Sequence, residues 1–477
     1  MRRAIVPLLL SIALVAVVWA SVFGYWHVTA TEPADRDIVR WLIALPLGLL
    51  AGVGLIHTSW AGLGARPGNA EAPSRAARNS SAGDPNAKQG ETEEPFRLQI
   101  LAARLRTPHG ATAAELLDAI AEGKRAGLDP LLRSSSNLPL FAGRIQALDI
   151  DPLRERIAAA NLPATADAPV QSLADDRLRS MALLTDVLQE LLADAAGHVA
   201  TRVAPKQGVA AESRRALPGL GVSVVLPAWW SEAERLLAVQ WLQHVAKEES
   251  LAFDCRFDAS EAGALALLDR VASSQTADAS PCIVLASESS ISGSCVAQWE
   301  AQGLLHVNER RPGLLPGEAA AGVLIARDAR HAAEEVDYQG TRLSRSLRAR
   351  RSESADAAQV SDAGPLAALT EQLLTDAGTS PSGVQWLVND CDHRISRIKE
   401  IAALMQSQLS YLGFESHNVA FGQSCAHTGV AGDLIGLVLG NHLANEHWQP
   451  VLVASLQDSH ERSVTLLTPP ESGTSTA

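Results

Sequence analysis

His427 and Thr428 sit in a polar loop that runs directly into small and apolar residues, VAGDLIGLVLGN at 430–441. That spacing predicts a helix packed tightly on a neighbouring layer. Its first turn would present unpaired N–H groups, a place for an oxyanion or a carbonyl oxygen. A histidine there could hold or move a proton, or could simply brace a tight turn. A second stretch, Asn389-Asp390-Cys391-Asp392-His393, puts oxygen, sulfur and nitrogen donors in one loop, on paper a metal cluster. It reads more simply as a polar loop after a strand, with Asp392 capping the helix that follows. Cys255 is a free thiol that could serve as a nucleophile. Gly219-Leu220-Gly221 is too short a signal for phosphate binding, so neither a cofactor nor a metal is expected. The basic run at 342–351 reads as a solvated loop, or as a face for an acidic partner or anionic lipid.

The elements that must position these residues alternate between strand-like and helix-like patterns. RLQILAARL at 97–105 reads as a strand, 108–110 as a turn, and Thr112 to Glu115 as a capping box opening a helix that stops at Gly123. Helices are expected near 178–195, 232–248 and 260–271, and strands at 222–226, 251–253, 282–286 and 384–388. Two strand-like runs, 450–456 and 463–468, close the chain, and 352–364 reads as a loop.

With 477 residues, 47% hydrophobic and 19% charged, the bulk of the chain is globular. A net charge of −13 argues against a nucleic-acid partner, which needs a basic face. Five cysteines, without a CxxC pair, suit reduced thiols rather than a disulfide framework. Residues 4–26 and 38–60 are apolar over the ~20 residues a bilayer requires, with Tyr25, Trp26, Trp41 and Trp60 at their ends. A cleaved signal peptide is the competing reading of the first run. The expected organisation is two transmembrane helices in 1–64, a flexible linker over 65–95 and a body over 96–477. The placement of Arg and Lys favours both ends inside, with the body in the cytoplasm at an inner membrane.

The loop, helix and closing strands of 421–468 resemble the last segment of the β-ketoacyl synthases, members of the thiolase-like superfamily. RRPGLLPGEAAAGVLIA at 310–326 resembles that superfamily's Gly-Glu-small run before a strand, and 96–123 with 138–157 resembles its opening. The resemblance implies an α/β fold, a layered αβαβα body of two related halves (96–330 and 331–470), and dimerisation. It also implies a cysteine nucleophile at a helix N-terminus, two histidines and a lysine. Matching the helix at 259–268 puts Asp258 where the cysteine belongs, with Cys255 three residues earlier. Counting back from Glu400 puts Asn389 at the first histidine, with His393 four residues on. His427 matches the second histidine, and its lysine position falls on Gly422. LQDSHERS at 456–463 replaces a glycine-rich gating loop. One catalytic position of four survives, so the resemblance implies a non-catalytic domain with a cleft at Asp258, Cys255, Asn389, His393, His427 and Thr428.

Two spans, a polar linker and a diverged thiolase-like body also resemble the type VI lipase adaptor proteins. VQWLVNDCDHRISRIKEIAALM at 384–405, residues 426–459 and SVTLLTPP at 463–470 carry this resemblance, with PFRLQIL at 95–101 a weaker match. It implies an adaptor of the type VI secretion system that binds a phospholipase effector and hands it to the spike protein. An acyl-condensing or acyl-transferring enzyme using Cys255 and His427, or an acyl-chain binding module in the same cleft, are the alternatives.

Overall fold

The computed structural model describes residues 96–166, 168–203, 219–249, 253–260, 262–273, 281–307, 313–327, 340–357 and 363–470. All belong to one compact unit, Gly90–Ala477. Both apolar runs and the linker expected over 65–95 lie outside the described residues. Among those described, no helix is long and apolar enough to cross a membrane.

The first half runs β1 (Phe96–Arg106), α1 (Ala113–Ala121), a ribbon of β2 (Gly127–Arg133) and β3 (Pro139–Ala142), α2 (Asp151–Ala159) and the long α3 (Asp175–Val203). It continues through β4 (Gly219–Val225), α4 (Glu232–Glu249), β5 (Asp254–Ser260), α5 (Ala264–Ser273), β6 (Cys282–Ser289), α6 (Gly293–Ala301) and β7 (Glu318–Arg327). The second half contains β8 (Thr341–Ser344), β9 (Leu347–Arg350), α7 (Gly364–Asp376), β10 (Trp386–Asn389) and α8 (Ile395–Gln408). After it come β11 (Asn418–Ala420), the single turn α9 (Gly422–Cys425), α10 (Gly432–His447), β12 (Val451–Ser455) and β13 (Glu461–Thr468).

Strand order reveals a duplication that residue identities conceal. Across the sheet the order is β5-β4-β6-β7-β1 in the first half and β11-β10-β12-β13-β8 in the second. Setting aside the short ribbon and β9, each half places its strands third, second, fourth, fifth, first. In both, the two outer pairings are parallel and the two inner ones antiparallel. β1 pairs antiparallel with β8 and joins the halves, Ile100 opposite Thr341.

Side-chain alternation assigns the layers. On β6, Ile283 and Leu285 pack outward with α3 and α4, whereas Val284 and Ala286 pack inward with α5 and α10. On β12, Leu452 and Ala454 join α7 and α8, while Val451 and Val453 join α10. Each sheet face is covered, so these strands read as unbroken apolar runs rather than alternating ones. Outer helices, one half of the sheet, two central helices, the other half of the sheet and outer helices make the αβαβα body. α10 approaches closest: a Cβ at Gly436 would lie 2.8 Å from the Val453 side chain.

Most expected elements form, including the Thr112–Glu115 capping box and the stop at Gly123, whose φ is +74°. Three expectations need correction. The strand placed at 251–253 forms at Asp254–Ser260, and the following helix begins at Ala264 rather than near 259. Parallel pairing with β4, which continues to Ser260, keeps those residues extended. The basic run at 342–351 lies mostly in β8 and β9, and Arg348, Arg350 and Arg351 pair with Asp269, Glu461 and Glu400. Asp392 does not cap α8; its carboxylate accepts from the Arg394 backbone and guanidinium instead.

Candidate functional site

The C-terminal ends of β6, β10 and β12 and the starts of α5 and α10 converge on a cavity of about 500 Å³. Ligands in open α/β sheets collect outside such strand ends. Glu288, Asp390, His427, Asp433, Gln457 and Gly263 line it, with Arg348 and Arg462 also on its wall.

Glu288 ends β6 and is buried. One carboxylate oxygen accepts the Val430 N–H at 3.0 Å, and the other accepts from the Trp229 indole at 3.3 Å. The approach to α10 is therefore occupied by a carboxyl group that the chain itself supplies. Gly429 makes this approach possible: its φ is +52°, and a Cβ there would overlap the Glu288 carboxylate.

His427 packs edge-on against Trp299, ring centroids 5.3 Å apart, and its Nε2 stands 4.0 Å from Glu288, too long for a hydrogen bond. Burial holds its pKa below the ordinary histidine value, outweighing the pull of Glu288. The imidazole is therefore neutral at neutral pH. Among the described residues its Nδ1, which is buried, has no partner, and neither does the Thr428 hydroxyl. The Thr428 N–H donates to Gln457 at 3.3 Å.

Asp390 follows β10 and pins the loop after β12. Its carboxylate accepts from Leu456 N at 2.7 Å, Gln457 N at 3.1 Å and Ser455 Oγ at 2.8 Å. Burial pushes its pKa up in spite of these donors. Asp433, in the first turn of α10, is pushed up to about 6, first by burial and then by the charge of Asp390. Arg394 donates to the Gln457 carbonyl at 2.5 Å and Arg397 to that of Asp458 at 3.2 Å. The segment expected to stand in for a gating loop is thus tied down along its length.

The six residues named from sequence do not all meet. His427 lines the cavity and Thr428 is buried beside it. The amide of Asn389 turns away to Asn418 at 2.6 Å, leaving the cavity to Asp390, and the ring of His393 packs on His306. Asp258 and Cys255 lie along β5, apart from the cavity lining. Asp258 accepts from Ser223 at 2.6 Å, and Cys255 packs on the outer core. At the start of α5, where the resemblance calls for a nucleophile, Gly263 borders the cavity. Gly422 packs so closely on the Asp390 carbonyl that no side chain fits in place of the expected lysine.

No cysteine is poised as a thiolate. Burial raises all five thiols, Cys282 to about 11 and Cys295 and Cys425 to about 12. Cys255 and Cys391 move the same way. Among the described residues no group of His, Cys, Asp and Glu is arranged to hold a metal ion. Sequence reading missed Glu288 and Asp433, and named Asp390 only as one donor of the 389–393 loop. Asp433 is the one acid in the small and apolar run 430–441, a legible signal; Glu288 had none beyond its place near a strand end.

No family model and no curated protein matches the chain. Solved structures do. One is a ketosynthase of a type II polyketide synthase in complex with its acyl-carrier protein and bound to the hexaketide. It is 14% identical, with a TM-score of 0.50 over 79% of this chain and 100% of that one. The ketosynthase from module 6 of the bacillaene synthase of Bacillus subtilis 168 is 12% identical, with a TM-score of 0.53 over 78% and 72%. An oxazolomycin ketosynthase domain of Streptomyces albus JA3453 is 11% identical, with a TM-score of 0.52 over 78% and 75%. At such identities the likeness defines the fold alone: the body has a ketosynthase-like, thiolase-like fold.

Proposed function

We propose that the body is a non-catalytic thiolase-like binding domain of a membrane-anchored adaptor. In this reading the adaptor binds a phospholipase effector of the type VI secretion system and presents it to the spike protein. Residues 4–26 and 38–60 anchor it in the inner membrane, and the body stands in the cytoplasm. The observation that carries the non-catalytic half is the Glu288 carboxylate bound across the approach to α10. A reacting carbonyl that develops negative charge would meet an acceptor oxygen there instead of a free N–H donor. Five thiols held protonated by burial agree with it. Support for the adaptor half is the sequence resemblance of 384–405, 426–459 and 463–470. Asp390, His427 and Ser463, one from each of these segments, line the same cavity.

The test uses the full chain in detergent as bait in lysate of its own organism, with mass spectrometry of the bound proteins. A stoichiometric lipase or spike protein, captured equally by Cys255→Ala, supports the adaptor. An acyl-carrier protein, or an acyl adduct on Cys255, overturns it.

A further inference from the structure

The β2–β3 ribbon is apolar on both faces. Inward, Leu132, Leu140 and Ala142 pack on Ile291, Val296 and Leu305. Outward, Leu128 and Phe141 stand opposite each other, 59% and 48% exposed, with Leu131 at 73% and Leu138 at 55%. Four large apolar side chains on one ribbon make a patch, not scattered surface residues. The ribbon is braced rather than loose. Ser135 donates to Glu300 at 2.9 and 2.8 Å, and Arg144 to Asp129 at 2.5 Å.

Its charge runs against that of the chain. Lys124 pairs with Glu122 and Arg144 with Asp129, and Glu300 sits at Ser135, which leaves Arg125 and Arg133 as the cations beside the patch in a chain of net charge −13. Arg125 and Arg133 are exposed, and among the described residues neither pairs with a carboxylate. Arg133 donates to the backbone carbonyls of Asp129 and Leu132. Exposed apolar side chains flanked by unneutralised arginines suit an anionic lipid surface, which takes the first at its acyl boundary and the second at its phosphates.

About 35 residues separate the second apolar run from β1.

We propose that the β2–β3 ribbon docks on the anionic surface of the bilayer to which the chain is tethered. Leu128, Leu131, Leu138 and Phe141 enter the interface, and Arg125 and Arg133 meet lipid phosphates. The proposal rests on reading the N-terminal region as the anchor.

The full chain is compared in detergent, in phosphatidylcholine vesicles and in vesicles containing phosphatidylglycerol, by hydrogen exchange of the ribbon amides and by carbonate extraction. Exchange at least threefold slower in phosphatidylglycerol vesicles alone is the expected result. That protection is reversed by salt and lost in a Leu131→Asp/Phe141→Asp variant that otherwise exchanges normally. Equal exchange in all three settings, with the chain retained after carbonate, overturns the ribbon and leaves the anchor standing. Protection in detergent that grows with protein concentration also overturns it, because a second copy then covers the patch. Release by carbonate with salt-sensitive protection intact supports the ribbon and sinks the anchor.

Discussion

At the scale of single residues, Gly429 and Glu288 act as one unit. A left-handed backbone at Gly429 brings the Val430 N–H onto the Glu288 carboxylate. Gly429→Ala adds a left-handed penalty of about 1–2 kcal/mol to a direct overlap. Its chemical-denaturation midpoint should fall by the equivalent of about 2 kcal/mol or more. Asp433 gives a pH signature. Its folded pKa of about 6 lies above the ordinary carboxylate value, so the folded state binds more protons across the interval between them. Stability therefore falls as pH rises from about 4 to about 6, and Asp433→Asn removes that loss. In urea unfolding the variant should gain about 3 kcal/mol at pH 8 and little at pH 4. The raised thiols predict resistance to iodoacetamide at neutral pH. Rapid alkylation of Cys255 in the native chain would revive a nucleophilic role.

Among the elements, the start of β7 depends on one buried ion pair. Glu318 accepts from Arg179 of α3 at 2.6 and 2.7 Å, from Ser289 at 3.0 Å and from the Ile145 N–H at 2.7 Å. The Gly-Glu-small run that draws notice in the sequence thus ties α3, β6 and the chain before α2 to one carboxylate. Glu318→Ala leaves the Arg179 guanidinium buried without its carboxylate. Calorimetry should register a loss of about 3–5 kcal/mol. Glu318→Gln should lose less, because the amide oxygen still accepts.

For the whole molecule, the repeated strand order makes β1 and β8 the seam between halves. It leaves β5 and β11 at the sheet edges. Local opening frees edge strands before central ones. Native-state amide exchange should therefore be slowest in β1, β6, β7, β12 and α10, and measurably faster in β5. Uniform protection across the sheet would contradict the layering.

Local periodicity and side-chain size dictate the alternation of strands and helices, the tight central helix and the capping box, so these were legible before any packing. The same local patterns placed His427 and Thr428 beside the site. They misplaced Asp258 and Cys255, since apolar spacing at 259–268 fits a helix equally well. Only pairing with β4, a partner some 35 residues away, keeps that segment extended through Ser260. The duplication, the turn of Asn389 away from the cavity in favour of Asp390, and the carboxylate of Glu288 at α10 were decided by tertiary structure. Each joins residues from distant parts of the chain. Burial, which sets the thiols and carboxyls of this site, exists only once those parts are packed together.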